Sequence, residues 1–163
     1  IDGAIKKQVC IKAVDGFITA ISTNCTETPD SNHAGTLIPG FVDIHSHGGG
    51  GFYFSDLSPE NVAAARNTHL ACGTTTHIAS LVTEPIGVLE EQILRLLPLV
   101  NAGVFEGIHL EGPYLSHARC GAHEPTLLRS PTIAELSALI DSGQGSISLV
   151  TLSPELDGCI AAV

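Results

Sequence analysis

Two short strings in the sequence combine metal-binding residue types with glycines that turn the chain. The first, PGFVDIHSHGGGG, covers residues 39–51, and the second, GIHLEGPYL, covers residues 107–115. His45 and His47 are two positions apart, so on a strand both rings project from one face, where a single cation could contact both. Glu111 ends the second apolar run, before a Gly-Pro pair that must turn the chain. Metal-binding residues at the ends of two strands predict a metal hydrolase site at the mouth of a barrel.

Interpretations of these residues that involve no metal ion are less well supported. One histidine on a strand is usually packed or hydrogen-bonded, but two at ligand spacing, followed by glycines at 48–51, favour a metal. A glutamate is usually a solvated surface acid, yet Glu111 follows an apolar strand at the end where barrel active sites lie. The glycines are not a phosphate-binding P-loop, because no Gly-Lys-Ser/Thr follows them.

Other histidines have less specific surroundings. His109 lies two positions before Glu111, on the same face but one layer deeper, so we expect it behind the ligands or in the core. His123 lies in a loop, RCGAHEP, at residues 119–125, where contact with a substrate is about as well supported as plain exposure. Four further histidines are expected to be structural or exposed: His33, His69, His77 and His117.

Strand and helix patterns alternate from residue 37 onwards. Strands are predicted at residues 37–47, 74–82, 103–110 and 147–152, and helices at residues 58–71, around residues 89–100, and from Ser130. Strand–helix units of this kind imply a parallel sheet with right-handed crossovers. Four units make half of an eight-stranded barrel, which typically needs about 250 residues. An open doubly wound sheet fits the same pattern, and the metal-binding strings favour the barrel.

The first 36 residues have a different pattern. Residues 4–24 alternate like antiparallel strands around an Asp15-Gly16 turn, and residues 25–36 are a polar, turn-rich loop. We therefore predict a small β domain at 1–36 and the barrel units at 37–163. The chain begins without Met and ends soon after a fourth strand, so it is expected to be a fragment.

Composition excludes some classes of partner. The net charge of −10 argues against nucleic acid and an anionic membrane, and no apolar run approaches the roughly 18 residues of a membrane span. The negative net charge does not exclude a phosphorylated substrate, which needs only a local cationic pocket. The five cysteines (Cys10, Cys25, Cys72, Cys120, Cys159) are dispersed without C-x-x-C spacing. They are interpreted as reduced thiols, which predicts a cytoplasmic protein.

Four strings, in this order, resemble one known family. PGFVDIHSHGGGG, TTTHIASLVT, GIHLEGPYLS and RCGAHEP are similar to N-acetylglucosamine-6-phosphate deacetylases of the amidohydrolase superfamily. The resemblance runs from about Leu37 to the end of the chain. It implies the first half of a metal-dependent (β/α)8 TIM-type barrel, with the C-terminal half absent. Residues 1–36 would supply the N-terminal part of a small β-sandwich built from both chain ends.

The resemblance also implies roles for individual residues. Glu111 would be a metal ligand, and His45 and His47 would add a second metal position, for one or two divalent ions such as zinc or iron. Ala122, through its backbone, and His123 would contact an amino-sugar phosphate. The catalytic aspartate and the remaining histidine ligands would lie after Val163. The implied reaction converts N-acetylglucosamine 6-phosphate to glucosamine 6-phosphate and acetate, in a protein that is a homodimer when complete.

The distribution of lysines is consistent with this family. Many amidohydrolases bridge two metals with a carboxylated lysine at the fourth strand, but the chain has no lysine after Lys12. On this resemblance, Glu111 would be the substitute for that bridging group. Two alternatives stay open: another metal-dependent amidohydrolase such as a cyclic amidase, which the missing lysine disfavours, and an inactive half-barrel. Half a barrel would expose apolar residues such as Val42, Ile44, Ile78 and Ile108, so the isolated chain is not expected to fold stably.

Overall fold

A computed structural model describes residue 5 and residues 8–163. These residues fall into two compact units, one up to Ile38 and one from Pro39 to Val163. The strands are β1 (Cys10–Val14), β2 (Phe17–Ser22), β3 (Phe41–Ser46), β4 (Gly48–Gly49), β5 (Phe52–Tyr53), β6 (Thr74–Leu81), β7 (Gly107–Glu111) and β8 (Ile147–Thr151). The helices are α1 (Pro59–Ala71), α2 (Ile86–Asn101), α3 (Ile133–Ser142) and α4 (Cys159–Ala162), with single 3₁₀ turns at His117–Arg119 and Pro125–Leu127.

The first unit contains the predicted hairpin. β1 and β2 pair antiparallel, with Val14 opposite Phe17. Asp15 and Gly16 in the turn both have positive φ, 50° and 81°, as a tight two-residue turn between twisted strands requires. The predicted segment began at residue 4, and part of its start lies outside the described residues. Two strands do not make a sandwich, so the sandwich remains a prediction.

The interpretation of the cysteines is wrong for one pair. Cys10 and Cys25 form a disulfide, with their Cα atoms 5.5 Å apart. The reason is geometric: the hairpin returns the chain to the start of β1, which brings two cysteines that are distant in sequence within bonding range. Cys72, Cys120 and Cys159 are free. With a disulfide present, the cysteines no longer argue for a cytoplasmic location.

The second unit is built around a parallel sheet, as predicted. Its strand order is β3-β6-β7-β8, and every pairing in it is parallel. Each strand therefore lies beside the next long strand in the chain, whereas a doubly wound sheet reverses direction at a switch point. Among the described residues, none of the helices has both the length and the apolar character that crossing a bilayer demands.

Local sequence signals explain most element boundaries. Ser58 caps α1, accepting a hydrogen bond from the Asn61 backbone N–H at 3.4 Å, and the helix ends before Gly73, whose φ is 97°. α3 begins two residues after the predicted Ser130-Pro131 start, because Thr132 provides the cap by accepting from the Glu135 N–H. β3 and β7 are shorter at their starts than predicted.

The core forms between α2 and the sheet. Leu89 and Ile93 of α2 and Ile108 of β7 have no exposed surface. The prediction that the Ile108 side chain would be exposed is therefore wrong, because Ile108 packs in the core that α2 forms with the sheet. Val42 and Ile44 of the edge strand β3 are 65% and 54% exposed, as expected.

The glycines after β3 form a hairpin that the sequence analysis did not predict. β4 and β5 pair antiparallel, with Gly48 opposite Tyr53. Gly48 has φ 157°, and a Cβ there would overlap the backbone carbonyl oxygen of Phe52. The hairpin therefore requires glycine at this position for both conformation and space.

Replacing Gly48 with Ala should destabilise the protein by about 1–3 kcal/mol, because an unfavourable φ and a backbone overlap combine. Gly87→Ala is the matched control, since a Cβ at that position in α2 meets no atom within 4 Å. It should change stability by less than about 1 kcal/mol, in the stabilising direction. Thermal unfolding of both variants tests this, and equal midpoints would contradict the structural reason given for Gly48.

Candidate metal centre

The candidate ligands come from strands that end at the same edge of the sheet. His45 belongs to β3, His47 follows that strand directly, and Glu111 is the last residue of β7. β6 lies between β3 and β7 in the sheet. Because parallel strands point the same way, their carboxyl ends bring these side chains to a common edge.

The three side chains converge on one point. The Glu111 Oε2 atom is 2.9 Å from Nε2 of His47 and 3.2 Å from Nε2 of His45. The two histidine Nε2 atoms are 3.3 Å apart. Donor atoms about 2.0–2.1 Å from a tetrahedral ion lie at about this separation from one another.

The hydrogen bonding of His47 fits a cation at this point. Its Nδ1 atom lies 3.2 Å from the Ser80 carbonyl oxygen, which can only accept, so Nδ1 carries the proton. In the neutral ring, Nε2 then presents a lone pair to the Glu111 carboxylate. The lone pairs of His47 Nε2 and Glu111 Oε2 then face each other at 2.9 Å, which requires a proton or a metal ion between the two atoms. A backbone carbonyl that fixes the ring in this way is usual for metal-binding histidines.

The electrostatics of Glu111 favour its charged form. Burial alone would raise the pKa of this carboxyl, but the hydrogen bond from His45 and the electrostatic interactions with the His45, His47 and His123 rings outweigh burial and hold the pKa below its ordinary value. The carboxylate is therefore ionised at neutral pH, as a metal ligand must be.

His123 also reaches Glu111. Its Nε2 atom is 3.4 Å from Glu111 Oε2, and its side chain is only 10% exposed. Nδ1 contacts the Thr83 hydroxyl at 2.7 Å and lies 3.4 Å from the Thr83 backbone N–H, which can only donate. Neutral His123 therefore carries its proton on Nε2, which points into the site. Thr83 was missed by the sequence analysis, although its position just after β6 places it at the same edge.

His109 lies behind this group. It is fully buried on β7 and joins two neighbouring strands through Ser80 (Nδ1 to Oγ, 2.9 Å) and Thr151 (Nε2 to Oγ1, 2.8 Å). Its ring meets that of His45 edge-on, with centroids 4.8 Å apart. Burial lowers the pKa of His109 to about 4, so the ring is neutral and acts as a spacer that fixes His45.

One cleft of about 810 Å³ is lined by all five residues that were predicted to bind metal or substrate: His45, His47, Glu111, Ala122 and His123. Ala122 and His123 line the cleft from the loop that follows the first 3₁₀ turn. Arg119 also lines the cleft and supplies a cation in an otherwise acidic chain. The cleft can thus hold a small molecule against the three candidate ligands.

Comparisons with known proteins point to one group of enzymes. The chain is 31% identical to an N-acetylgalactosamine-6-phosphate deacetylase of Shewanella sp. (strain ANA-3) over 162 residues, 94% of this chain and 41% of that protein. A crystal structure of N-acetyl-D-glucosamine-6-phosphate deacetylase from Mycobacterium smegmatis is 43% identical, with a TM-score of 0.88 over 93% of this chain and 41% of that one. A mutant of that enzyme in complex with N-acetyl-D-glucosamine-6-phosphate gives a TM-score of 0.78 at 43% identity, over 89% and 39% of the two chains.

These homologues confirm the resemblance found in the four strings. The chain spans about 41% of the length of the Shewanella relative. No protein-family model matches the chain.

Proposed function

We propose that a complete protein containing this chain hydrolyses the N-acetyl group of N-acetylglucosamine 6-phosphate, releasing acetate and glucosamine 6-phosphate. The observation that carries the proposal is the convergence of His45, His47 and Glu111 in a cleft that also contains Ala122 and His123. The homology to deacetylases supports the same reaction.

The proposed fold of the complete protein is a (β/α)8 barrel with a small β-sandwich. The consecutive order β3-β6-β7-β8 supports a barrel, because a barrel adds each new strand on the same side of the last one. The hairpin of β1 and β2 would belong to the sandwich. On this proposal residues 1–36 and 37–163 belong to different domains.

His45, His47 and Glu111 would hold one or two divalent ions, with zinc or iron favoured because imidazole nitrogens are their usual ligands. The chemistry that such an ion would supply is a lowered pKa of bound water, toward about 7, and polarisation of the amide carbonyl of the substrate. Ser80 keeps the Nε2 lone pair of His47 directed at the site. The negative charge of Glu111 would balance the charge of the bound cation.

The remaining residues of the cleft would bind the sugar phosphate. Thr83 holds His123 so that its Nε2–H points into the site, where it can donate to a substrate oxygen. Ala122 would contribute its backbone. The carboxylate that moves the proton to the leaving amine is proposed to lie after Val163, as are the other ligands. A homodimer and a cytoplasmic location remain predictions, and a cyclic amidase or an inactive half-barrel remains the alternative.

A second substrate is favoured by one specific observation. The Shewanella relative, which matches 94% of this chain, is named for N-acetylgalactosamine 6-phosphate. The two sugars differ only in the configuration of one hydroxyl, so the same centre could act on either. Acetate release by the complete protein from each sugar phosphate, with metal present and after chelation, decides between them. Release from neither with metal bound would refute the proposed function.

Replacing His123 with Ala should lower kcat/KM for the preferred sugar phosphate about 10- to 100-fold, which corresponds to the loss of one hydrogen bond to a charged group. His117→Ala is the matched control, because His117 is an exposed histidine close in sequence that does not line the cleft. It should leave kcat/KM unchanged. Equal values for the two variants would remove His123 from the proposed substrate site.

A further inference from the structure

A second group of metal-binding side chains lies beside the candidate metal centre and shares no residue with it. Asp43 comes from β3, His69 from α1 and His77 from β6. One donor atom of each lies within 4.8 Å of the other two. Asp43 Oδ2 is 3.8 Å from Nδ1 of His69 and 3.7 Å from Nε2 of His77.

The hydrogen bonding of His69 directs a lone pair into this group. Its Nε2 atom is 2.9 Å from the Gly48 carbonyl oxygen, which can only accept, so Nε2 carries the proton. In the neutral ring, Nδ1 is then a bare nitrogen facing the Asp43 carboxylate. The arrangement repeats that of His47 and Glu111, where a backbone carbonyl also fixes the ring and a carboxylate faces its lone pair.

His77 is held on the inner side of the group. Its side chain is 3% exposed, and its Nε2 atom faces both Asp43 and the Ser46 hydroxyl. Phe54 packs edge-on against its ring, with centroids 5.1 Å apart, and Phe105 lies 6.0 Å away. An apolar wall of this kind orients a metal-binding imidazole and limits solvent at the ion.

We propose that Asp43, His69 and His77 form a second metal site, which binds one divalent transition-metal ion of the zinc class. Two imidazoles and one carboxylate are a frequent donor set for zinc, with a water as fourth ligand. Donors at about 2.0–2.1 Å from a tetrahedral ion are about 3.3–3.4 Å apart. The two Asp43 contacts, at 3.7 and 3.8 Å, exceed this by a few tenths of an ångström, and the two histidine donors lie within 4.8 Å of each other. The Asp43 and His69 side chains are 29% and 24% exposed, which leaves a path for the ion and the water.

The proposed ion would tie together three separate elements. It would link the edge strand β3 to its neighbour β6 and to helix α1. Asp43 also accepts the His45 backbone N–H through Oδ1 at 3.0 Å, so an ion on Oδ2 would fix the backbone that carries the candidate centre. The proposed role is structural, and it does not depend on the deacetylase reaction.

The test is a zinc count on the complete protein. The protein is stripped with a chelator, dialysed against zinc, and its zinc per chain is measured by mass spectrometry. We expect His69→Gln to bind one zinc fewer than the unmodified protein, and His33→Gln, an exposed histidine outside both groups, to bind the same number. Glu111→Gln should keep the zinc that His69→Gln loses. Equal zinc in His69→Gln and in the unmodified protein, both folded by circular dichroism, would overturn the proposal.

A second measurement tests the proposed site without a variant, in case His69→Gln does not fold. Crystals of the unmodified protein soaked in zinc are measured at the zinc absorption edge. An anomalous peak between Asp43, His69 and His77 supports the site, and its absence in crystals that show a peak at Glu111 overturns it. Acetate release plays no part in either readout, so failure of the proposed function and failure of this site are distinguishable.

Discussion

Replacing Glu111 with Gln should remove nearly all deacetylase activity from the complete protein and lower its metal content. The Glu111 carboxylate lies within 2.9–3.4 Å of three imidazole nitrogens, and the pKa of the Glu111 carboxyl is below its ordinary value. Gln keeps the shape and one neutral oxygen but loses the charge that balances a divalent cation. Substitution of groups that hydrogen-bond to metal ligands lowers metal affinity or activity about 10- to 100-fold. Removal of the charge of a ligand itself should therefore lower activity more than about 100-fold.

The matched control is Glu106→Gln, which removes an exposed carboxylate just before the same strand. It should retain full activity and metal. Turnover of N-acetylglucosamine 6-phosphate and bound metal per chain are measured for both variants. Normal turnover by Glu111→Gln with normal metal content would show that Glu111 is not a ligand.

Residues 1–163 expressed alone should not form a stable, active monomer. β3 and β8 are the two outer strands of the described parallel sheet, and each exposes a row of backbone donors and acceptors. On β3, Phe41, Val42 and Ile44 are 57%, 65% and 54% exposed. At roughly 25 cal/mol per Å², a few hundred Å² of uncovered apolar surface rivals the 5–15 kcal/mol stability of a typical domain.

Size-exclusion chromatography and thermal unfolding measure this outcome, with the complete protein as the reference. We expect aggregation, or no cooperative transition, for the isolated chain. A monomeric sample with a cooperative transition and acetate release would contradict the expectation and would show that the core around Leu89 and Ile108 is sufficient on its own.

Local signals in the sequence predicted the elements well. The Ser58-Pro59 cap, the glycine after α1 and the apolar spacing of α2 depend on neighbouring residues only, so they could be recognised without a structure. The parallel sheet followed from the alternation of strands and helices. The convergence of His45, His47 and Glu111 could be predicted because strand ends share an edge.

Features that depend on contacts between distant residues were missed. The Cys10–Cys25 disulfide requires the hairpin to be in place before the two residues meet. The Asp43–His69–His77 cluster joins three elements, and its two histidines were expected only to be structural or exposed. Neither feature leaves a spacing pattern along the sequence.

The strand order also has a consequence for biosynthesis. Each strand of the parallel sheet after β3 pairs with the long strand made just before it, so its partner has already been synthesised. The sheet then grows at one edge only, which the next strand covers, while β3 remains the other edge. His45, His47, Glu111 and His123 are all synthesised before β8. The candidate ligands that this chain contributes are therefore complete before the last strand of the described sheet is made.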